Sequence, residues 1–314
     1  MPDLARKNEL AKKAVGLWRG DLLSLVSQGD SANQVFEFTR PGKTFYLRLV
    51  SSRDRTREQI EAELDFIFYL RRGGVSAMPP VASADGQFIE EIAAPDDLFL
   101  ACVFEQAAGE RFRYTDFTGS REAHFRLRGR TLGQIHALSK NYVPAGNFRR
   151  LAWDEDLLLR DAEKFLPASE KIVRREYERL KVVLSALPQS KETYGLIHGD
   201  FGETNYRYQN SRLNIFDFDD CCYHWFACDL AVSIYPHGWR REGLLLLDWL
   251  LEGYAEKAPV NFTRADITLF CHWRLIYMFL VYARKWGFTD LSTPQAAWFE
   301  QKRENIARGY EWAL

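Results

Sequence analysis

The sequence predicts an α+β fold, with an antiparallel sheet and a helix in the N-terminal third and a mainly helical remainder. Three short runs with strand character, at 22–27, 34–39 and 44–50, follow one another without an intervening helix. Few helices alternate with strands in this region, which favours a mixed antiparallel sheet over a doubly wound parallel one. After Glu105 the 3.6-residue periodicity of helices dominates.

The N-terminal third contains two predicted helices that flank the three strands. The first covers residues 4–18, where apolar residues repeat at helical spacing. The second runs from Thr56 to Arg72, because Thr56 and Gln59 have the spacing of a capping box and Gly73 follows the last turn. Its apolar stripe contains Glu63, and a carboxylate on a buried face needs a partner.

Further strands are predicted beyond the second helix. Asp85 and Gly86 indicate a hairpin between segments 81–84 and 87–92. The wholly apolar run 98–104 then predicts a buried strand. The change to helical patterns places a boundary near 105–110. We therefore predict an N-terminal lobe over 1–104, a hinge over 105–110 and a C-terminal lobe over 111–314.

Five helices and one strand-rich island are predicted in the C-terminal lobe. The helices cover 122–139, 153–165, 169–187, 241–257 and 264–286. The island covers residues 194–218, where Asn210 and Ser211 indicate a turn between strands at 206–208 and 213–218.

Composition and charge exclude several classes of protein. The 314 residues include 42 Lys and Arg against 43 Asp and Glu, a net charge of −1, and 46% are hydrophobic. Such a chain is folded rather than disordered, and it lacks the basic surplus that nucleic-acid binding requires. The longest apolar run, 275–283, is far shorter than the ~20 residues of a membrane span. Without a secretory signal, the expected location is the cytoplasm.

Cysteine chemistry is not expected to contribute to function. The chain has five cysteines, an odd number in a long sequence, which does not favour a disulfide framework. Cys221, Cys222, His224 and Cys228 lie close together but lack the separated pairs of structural zinc sites. Reduced, unpaired thiols are the preferred interpretation.

Three polar residues in the strand-rich island have the character of a phosphoryl-transfer site. Asp200 and Asn205 flank one short loop, and the following hairpin should return Asp217 to its vicinity. Mg²⁺ prefers a few hard oxygen ligands from protein, with phosphates and water supplying the rest. A further carboxylate can orient an attacking hydroxyl and accept its proton. Asp217 lies between two phenylalanines of a predicted strand and should therefore point opposite to them.

The surrounding motifs resemble those of the aminoglycoside phosphotransferase and choline kinase-like family. His198-Gly199-Asp200 followed by Asn205 resembles the catalytic loop of kinases, and the segment Ile-Phe-Asp-Phe-Asp-Asp at 215–220 resembles the second signature of this family. Asp-Leu-Ala at 229–231 and Leu-Gly-Gln-Ile-His-Ala-Leu at 132–138 are similar to two further family motifs. The resemblance covers nearly the whole chain and implies a bilobal, protein-kinase-like fold.

This resemblance also implies roles for individual residues of the C-terminal lobe. Asp200 would be the catalytic base, and Asn205 and Asp217 would hold Mg²⁺. Asp219 could assist the metal or the substrate. His198 and Asp229 would support the loop, although Asp229 could instead simply cap a helix. His136 is best interpreted as a satisfied core histidine.

In the N-terminal lobe, the resemblance implies a nucleotide site with one departure from the kinase pattern. Gly29 and Ser31 lie where kinases place their phosphate-covering loop, although a plain hairpin turn would also fit. Arg48 stands where the kinase lysine is expected, and Glu63 is its natural partner. Backbone groups of Glu105 and Ala107 would contact a purine edge. The sequence does not distinguish ATP from GTP.

The resemblance therefore implies a kinase that transfers the γ-phosphate of a nucleoside triphosphate to a hydroxyl of a small molecule. A catalytically weak or inactive member of the family, with a nucleotide-binding or structural role, remains the alternative, because Arg48 replaces the lysine. A protein kinase is less favoured, since neither Asp-Phe-Gly nor Ala-Pro-Glu is present. The acceptor and the oligomeric state are left open by the sequence.

Overall fold

A computed structural model describes residues 4–29, 34–146 and 148–312. The chain divides into two compact units, which differ from a simple cut in sequence. The first contains residues 1–111, 143–149 and 206–219, and the second contains residues 112–142, 150–205 and 220–314. The α+β class is confirmed. The functional division into lobes over 1–104 and 111–314 with a hinge over 105–110 stays a prediction.

The first unit is built on one six-stranded antiparallel sheet. Its strands, in chain order, are β1 (Asp21–Ser27), β2 (Gln34–Arg40), β3 (Lys43–Ser51), β4 (Pro80–Val81), β5 (Glu90–Ala94) and β6 (Asp97–Glu105). The spatial order is β1-β2-β3-β6-β4, and β5 also pairs with β6. The first three predicted strands and the apolar strand at 98–104 are therefore confirmed to within about two residues at each end.

Two helices accompany this sheet. Helix α1 (Leu4–Leu17) contributes Ala14 and Val15 to an apolar core that includes Phe36 and Phe38 of β2. Burying one large apolar side chain contributes roughly 1.5–3 kcal/mol, so this core accounts for much of the stability of the unit. Helix α2 (Arg57–Arg72) begins at the predicted capping box of Thr56. These predictions depended on local signals and are confirmed.

The predicted hairpin at Asp85 and Gly86 is wrong. The turn itself forms, with a hydrogen bond of 3.1 Å from the Gly86 N–H to the carbonyl of Ser83. The flanking segments do not pair with each other as strands; β4 and β5 each pair with β6 instead. Strand β6 is apolar on both faces; β3 pairs along one of its edges, and β4 and β5 pair with successive parts of the other edge instead of with each other.

A small hairpin completes the first unit. Strands β8 (Tyr206–Gln209) and β9 (Arg212–Ile215) pair antiparallel, with Tyr206 opposite Ile215. Asn210 and Ser211 form the predicted turn and have φ angles of 49° and 57°. The left-handed conformation of both turn residues matches the twist of the two strands.

The second unit is mainly helical. Its main helices are α3 (Arg121–Ser139), α6 (Lys171–Ser185), α7 (Phe226–Ile234), α8 (Gly243–Ala255), α9 (Arg264–Trp286) and α10 (Thr293–Arg308). Four of these correspond to predicted helices. Helices α7 and α10 were not predicted as helices. Helix α7 lacks a 3.6-residue stripe because it is buried on all sides, and α10 lacks one because only Phe299 and Ile306 of it are buried.

The single helix predicted over 153–165 is also incorrect. The segment forms a 3₁₀ turn at Trp153–Glu155 and two short helices, α4 (Leu157–Arg160) and α5 (Ala162–Phe165). Asp156 interrupts the helix, because its side chain accepts a hydrogen bond of 2.8 Å from the Leu158 N–H and starts α4. An aspartate that satisfies backbone N–H groups in this way competes with continuous helix.

Helices α3 and α8 cross closely through glycines. A Cβ atom on Gly129 would lie 1.8 Å from the carbonyl oxygen of Leu250, and one on Gly133 would lie 2.7 Å from that of Tyr254. Gly253 likewise faces the backbone of α3. Gly133 belongs to the predicted family motif at 132–138, and its role there is this contact between backbones.

A two-stranded sheet carries the candidate loop of the second unit. Strand β7 (Tyr194–Ile197) pairs antiparallel with β10 (Cys222–Trp225), with Ile197 opposite Cys222. The loop containing Asp200 leaves directly from the end of β7. Across the described ranges, no helix combines the length and apolar character that crossing a membrane would demand.

Candidate functional site

The loop that follows β7 is fixed by hydrogen bonds from its backbone to a buried carboxylate. Asp229, in the first turn of α7, is completely buried and accepts hydrogen bonds of 2.8 Å from the N–H groups of His198 and Gly199. Its Oδ2 also lies 3.2 Å from His136 Nε2, which donates to it. Burial would raise the pKa of Asp229, but the hydrogen bond from His136 and the charges nearby hold it below its ordinary value.

The simpler of the two interpretations of Asp229, that it caps a helix, is wrong. The N-cap residue of α7 is Trp225, which precedes its first turn, and Asp229 lies within the helix. His136 is fully buried and places its other ring nitrogen 3.1 Å from the hydroxyl of Tyr254, so both of its nitrogens have partners. The core interpretation of His136 is confirmed.

Gly199 allows the loop to approach the backbone of the following segment. Its φ angle is +82°, and a Cβ atom there would lie 2.2 Å from the carbonyl oxygen of Asp220. Both features exclude other residues, because the left-handed region is strained for residues with a Cβ and the neighbouring atom is backbone.

We expect Gly199→Ala to lower the free energy of unfolding by about 2 kcal/mol or more, since it adds backbone strain to a steric clash. Gly202→Ala is the matched control from the same loop. Its added methyl would meet only a side-chain oxygen of Thr204 at 3.8 Å, so the change should stay within about 0.5 kcal/mol. Urea denaturation of both variants measures the difference. Equal losses in the two would contradict this explanation.

Asp200 is engaged on both carboxylate oxygens. The Asn205 side-chain amide donates hydrogen bonds of 2.8 Å to Oδ2 of Asp200 and of 2.8 Å to its carbonyl oxygen. Oδ1 accepts from the guanidinium of Arg274 on α9. The Asp200 side chain is 31% exposed, whereas Asn205 is buried. Asp200 is thus a fixed carboxylate that solvent or a ligand can still reach.

Asp217 has a conformation that differs from the prediction. Strand β9 ends at Ile215, so Asp217 does not alternate within a strand. Its φ angle is +65°, in the left-handed region, and its side chain is exposed while Phe218 is buried. Such a conformation costs a residue other than glycine about 1–2 kcal/mol, and residues of this kind are concentrated at functional sites.

Arg48 and Glu63 form the predicted salt bridge, which is confirmed. The two guanidinium nitrogens of Arg48 donate to the two carboxylate oxygens of Glu63 at 2.9 and 2.6 Å. Both side chains are buried. Burial would lower the pKa of Arg48, but the charges of Glu63 and Asp219 raise it well above its ordinary value. Arg48 therefore carries a permanent buried charge.

Asp219 belongs to the same network of charges. One of its oxygens lies 3.7 Å from Arg48 and the other lies 3.4 Å from Arg55. Glu63, Arg48, Asp219 and Arg55 thus alternate in sign within the first unit. The role predicted for Asp219, to assist the metal or the substrate, stays a prediction.

The remaining predicted nucleotide contacts are described only in part. Gly29 has a φ angle of +106°, and Ser31 lies outside the described residues. Glu105 ends β6 and donates its N–H to the carbonyl of Pro79 at 3.2 Å. Ala107 follows in irregular backbone. Contacts of these residues with a nucleotide stay a prediction.

Two arginines of this region, Arg55 and Arg274, are not among the predicted site residues. Arg55 belongs to the basic segment before α2, and Arg274 directly precedes the long apolar run of α9. An arginine within a buried apolar helix is a signal that it has a charged partner, because an unpaired buried charge is costly. That signal does not identify the partner.

The cysteines show no features of a reactive or metal-binding group. Among the described residues all five carry free thiols, and four of these are buried. Burial raises the pKa of Cys102 to about 12 and the pKa of Cys222 well above its ordinary value, which keeps both protonated. The described part of the chain contains no group of three or more His, Cys, Asp or Glu side chains placed to bind a metal.

The sequence matches known proteins over most of its length. The sequence model of the phosphotransferase enzyme family matches residues 25–261. Amicoumacin kinase of Bacillus subtilis (strain 168) is 31% identical over 216 residues, which cover 67% of this chain and 62% of that relative. The match thus spans less than two thirds of the length of that relative.

Solved structures are similar in fold. An amicoumacin kinase in complex with AMP-PNP, Ca²⁺ and Ami is 26% identical, with a TM-score of 0.87, covering 96% of this chain and 92% of the other. A microcompartment-associated aminopropanol kinase is 20% identical, with a TM-score of 0.77 and 95% of both chains covered. At that lower identity the similarity concerns the fold alone.

Proposed function

The chain belongs to the phosphotransferase enzyme family, and on that premise we propose that it is an Mg²⁺-dependent small-molecule kinase. It would transfer the γ-phosphate of ATP, or of GTP, to a hydroxyl of a small substrate. The observation that carries this proposal is the geometry of the loop after β7. There Asp200 is partly exposed, is held by Asn205, and has the backbone before it fixed by Asp229.

We assign the role of catalytic base to Asp200. The acceptor oxygen would form a bond to the γ-phosphorus while the bond from that phosphorus to the bridging oxygen breaks, releasing the nucleoside diphosphate. Asp200 would orient the hydroxyl and take its proton on a carboxylate oxygen. A base in a fixed position contributes mainly by orienting the acceptor hydroxyl, because the protein forms few covalent bonds itself in phosphoryl transfer and acts chiefly by positioning the reactants.

Asn205 and Asp217 are the proposed ligands of Mg²⁺. Asn205 directs its amide nitrogen to Asp200, which leaves its amide oxygen as a ligand, and Asp217 offers an exposed carboxylate. Two hard oxygen ligands from protein fit an ion that keeps phosphate and water in its remaining positions. When bound, Mg²⁺ would neutralise charge on the phosphate oxygens.

The first unit would bind the nucleotide. Arg48, fixed by Glu63, would donate its remaining N–H groups to the phosphates. A planar guanidinium can form two parallel hydrogen bonds to phosphate oxygens. Gly29 and Ser31 would cover the phosphates, and Glu105 and Ala107 would meet the purine. The Glu105 N–H is already bonded to the carbonyl of Pro79, so we propose its carbonyl rather than its N–H for that contact.

The acceptor is proposed only by class, as a small molecule that carries a hydroxyl. The first candidates to test are amicoumacin and aminopropanol, the compounds after which the similar kinases are named. Sugars, nucleosides and aminoglycosides follow. We place the enzyme in the cytoplasm, without nucleic acid or membrane as a partner.

The deciding experiment is the substitution Asp200→Asn. We expect it to lower turnover by at least ~100-fold while the affinity for Mg-nucleotide changes little, since the amide keeps the shape but cannot accept a proton. A coupled assay of nucleoside diphosphate release measures turnover, and calorimetry measures binding. Glu203→Gln, from the same loop, is the control for nonspecific effects. Undiminished turnover in Asp200→Asn would remove the proposed base.

Nucleotide binding without turnover is the second candidate, favoured by Arg48 in place of the usual lysine. The same calorimetry separates the two. Binding of Mg-ATP or Mg-GTP with no product from any acceptor would support the second candidate. Product formation would exclude it.

A further inference from the structure

The guanidinium of Arg274, on helix α9, donates a hydrogen bond to the carboxylate of Asp200. We propose that Arg274 is the positioning residue of the catalytic base, an inference that rests on the proposed function of Asp200. Arg274 donates to Oδ1 of Asp200, while Asn205 donates to Oδ2. The carboxylate is therefore held from two sides, once by its own loop and once by a helix.

Arg274 is itself held rigidly. Its side chain is only 12% exposed, and its guanidinium carbon lies 5.4 Å from the ring centroid of Tyr277, one turn along α9. The Tyr277 hydroxyl donates at 3.0 Å to Asp156, whose other oxygen caps α4. A chain of contacts thus extends from the body of the unit through Tyr277 and Arg274 to Asp200.

The electrostatics also favour this contact. Burial would lower the pKa of Arg274, but Asp200 and, more weakly, Tyr235, Tyr277 and Asp220 raise it above its ordinary value. Arg274 is therefore a permanent cation with little contact to water. A buried cation needs its carboxylate partner, so the pair is strongly favoured over separation.

This arrangement controls orientation rather than substrate affinity. With Oδ1 committed to Arg274 and one lone pair of Oδ2 committed to Asn205, the plane of the carboxylate is fixed. The remaining lone pair of Oδ2 then has a fixed direction, in which the acceptor hydroxyl would lie. A displacement of about 1 Å from such a position can reduce a rate by 10²-fold.

The test compares Arg274→Met, which keeps the length of the side chain, with Arg274→Lys, which keeps its charge. We expect Arg274→Met to lower kcat by about 10²-fold and to change the KM of nucleotide and acceptor by less than about threefold. The kcat of Arg274→Lys should be about tenfold higher than that of Arg274→Met, because a lysine restores the charge but not the planar set of guanidinium donors. Arg284→Gln, at an exposed position of α9, is the control and should leave kcat unchanged.

A second measurement does not depend on activity. The thermal midpoints of Asp200→Asn, Arg274→Met and the double variant form a cycle, and we expect the two shifts to be non-additive because the residues are in direct contact. Additive shifts, or an unchanged kcat in Arg274→Met, would overturn the role of Arg274. If the unmodified protein turns over no acceptor, the proposed function fails, and the thermal cycle still decides whether the pair forms.

Discussion

Glu63→Gln is expected to lower the free energy of unfolding by about 3–5 kcal/mol, because it removes the counter-ion of a buried arginine. Arg48 is 5% exposed and Glu63 is fully buried. After the substitution, Asp219 at 3.7 Å would be the nearest remaining carboxylate to Arg48. Urea denaturation at neutral pH measures the loss directly.

A matched control lies on the same helix. Glu61 pairs with Arg57 at 3.7 Å in a partly exposed i,i+4 arrangement, so Glu61→Gln should cost less than about 1 kcal/mol. The double variant Arg48→Met with Glu63→Gln should regain part of the loss, since it no longer buries an unpaired charge. Equal effects of Glu61→Gln and Glu63→Gln would show that burial of the pair has no energetic consequence.

Acidification should destabilise the protein well before its carboxylates are protonated. His124, His224, His237 and His272 are buried, and burial lowers the pKa of each. The pKa of His124 falls to about 2 and that of His224 to about 3. In the unfolded chain a histidine has a pKa near ~6.5, so below that pH the unfolded state binds more protons.

The sign of the effect follows from this difference. The stability contributed by neutral burial is complete above pH ~6.5 and is lost as the pH falls. Between pH 7 and pH 5.5, His124 and His224 should each reduce the free energy of unfolding by about 1 kcal/mol. Depressed carboxyl pKa values, such as that of Asp229, act only at lower pH.

Denaturation curves at the two pH values test this expectation. His124 stacks on Phe112 with ring centroids 3.7 Å apart, so His124→Phe keeps a ring of similar shape without a titrating group. The loss between pH 7 and pH 5.5 should be about 1 kcal/mol smaller in this variant. A stability that does not change between the two pH values would show that these histidines are already able to ionise in the folded state.

Local signals in the sequence predicted the elements on which they act. The capping box at Thr56 starts α2, and the turn at Asn210 and Ser211 joins β8 to β9. The buried position of Glu63 on the α2 stripe indicated that it needs a partner, and the resemblance to kinases implied that this partner is Arg48. In each case a few residues, close in sequence or on one recognisable face, contain the information.

The errors have a common physical cause, which is competition from distant parts of the chain. The turn at Gly86 formed, yet β4 and β5 paired side by side with the edge of β6 that β3 leaves open, because this long apolar strand binds more backbone than a short hairpin can. Helix 153–165 was interrupted by Asp156, whose side chain also accepts from Tyr277 of α9. Periodicity does not contain these contacts.

The sequence by itself determined the α+β class, the loop from His198 to Asn205 and the residue types of the candidate site. Only the tertiary structure decided that Asp217 is left-handed rather than extended, that Asp229 fixes the loop from within α7, and that Arg274 reaches Asp200. The reason is that hydrogen bonds and ion pairs between residues 30 to 74 positions apart depend on chain topology. A motif identifies the group that reacts, whereas the packing of distant helices determines where that group is held.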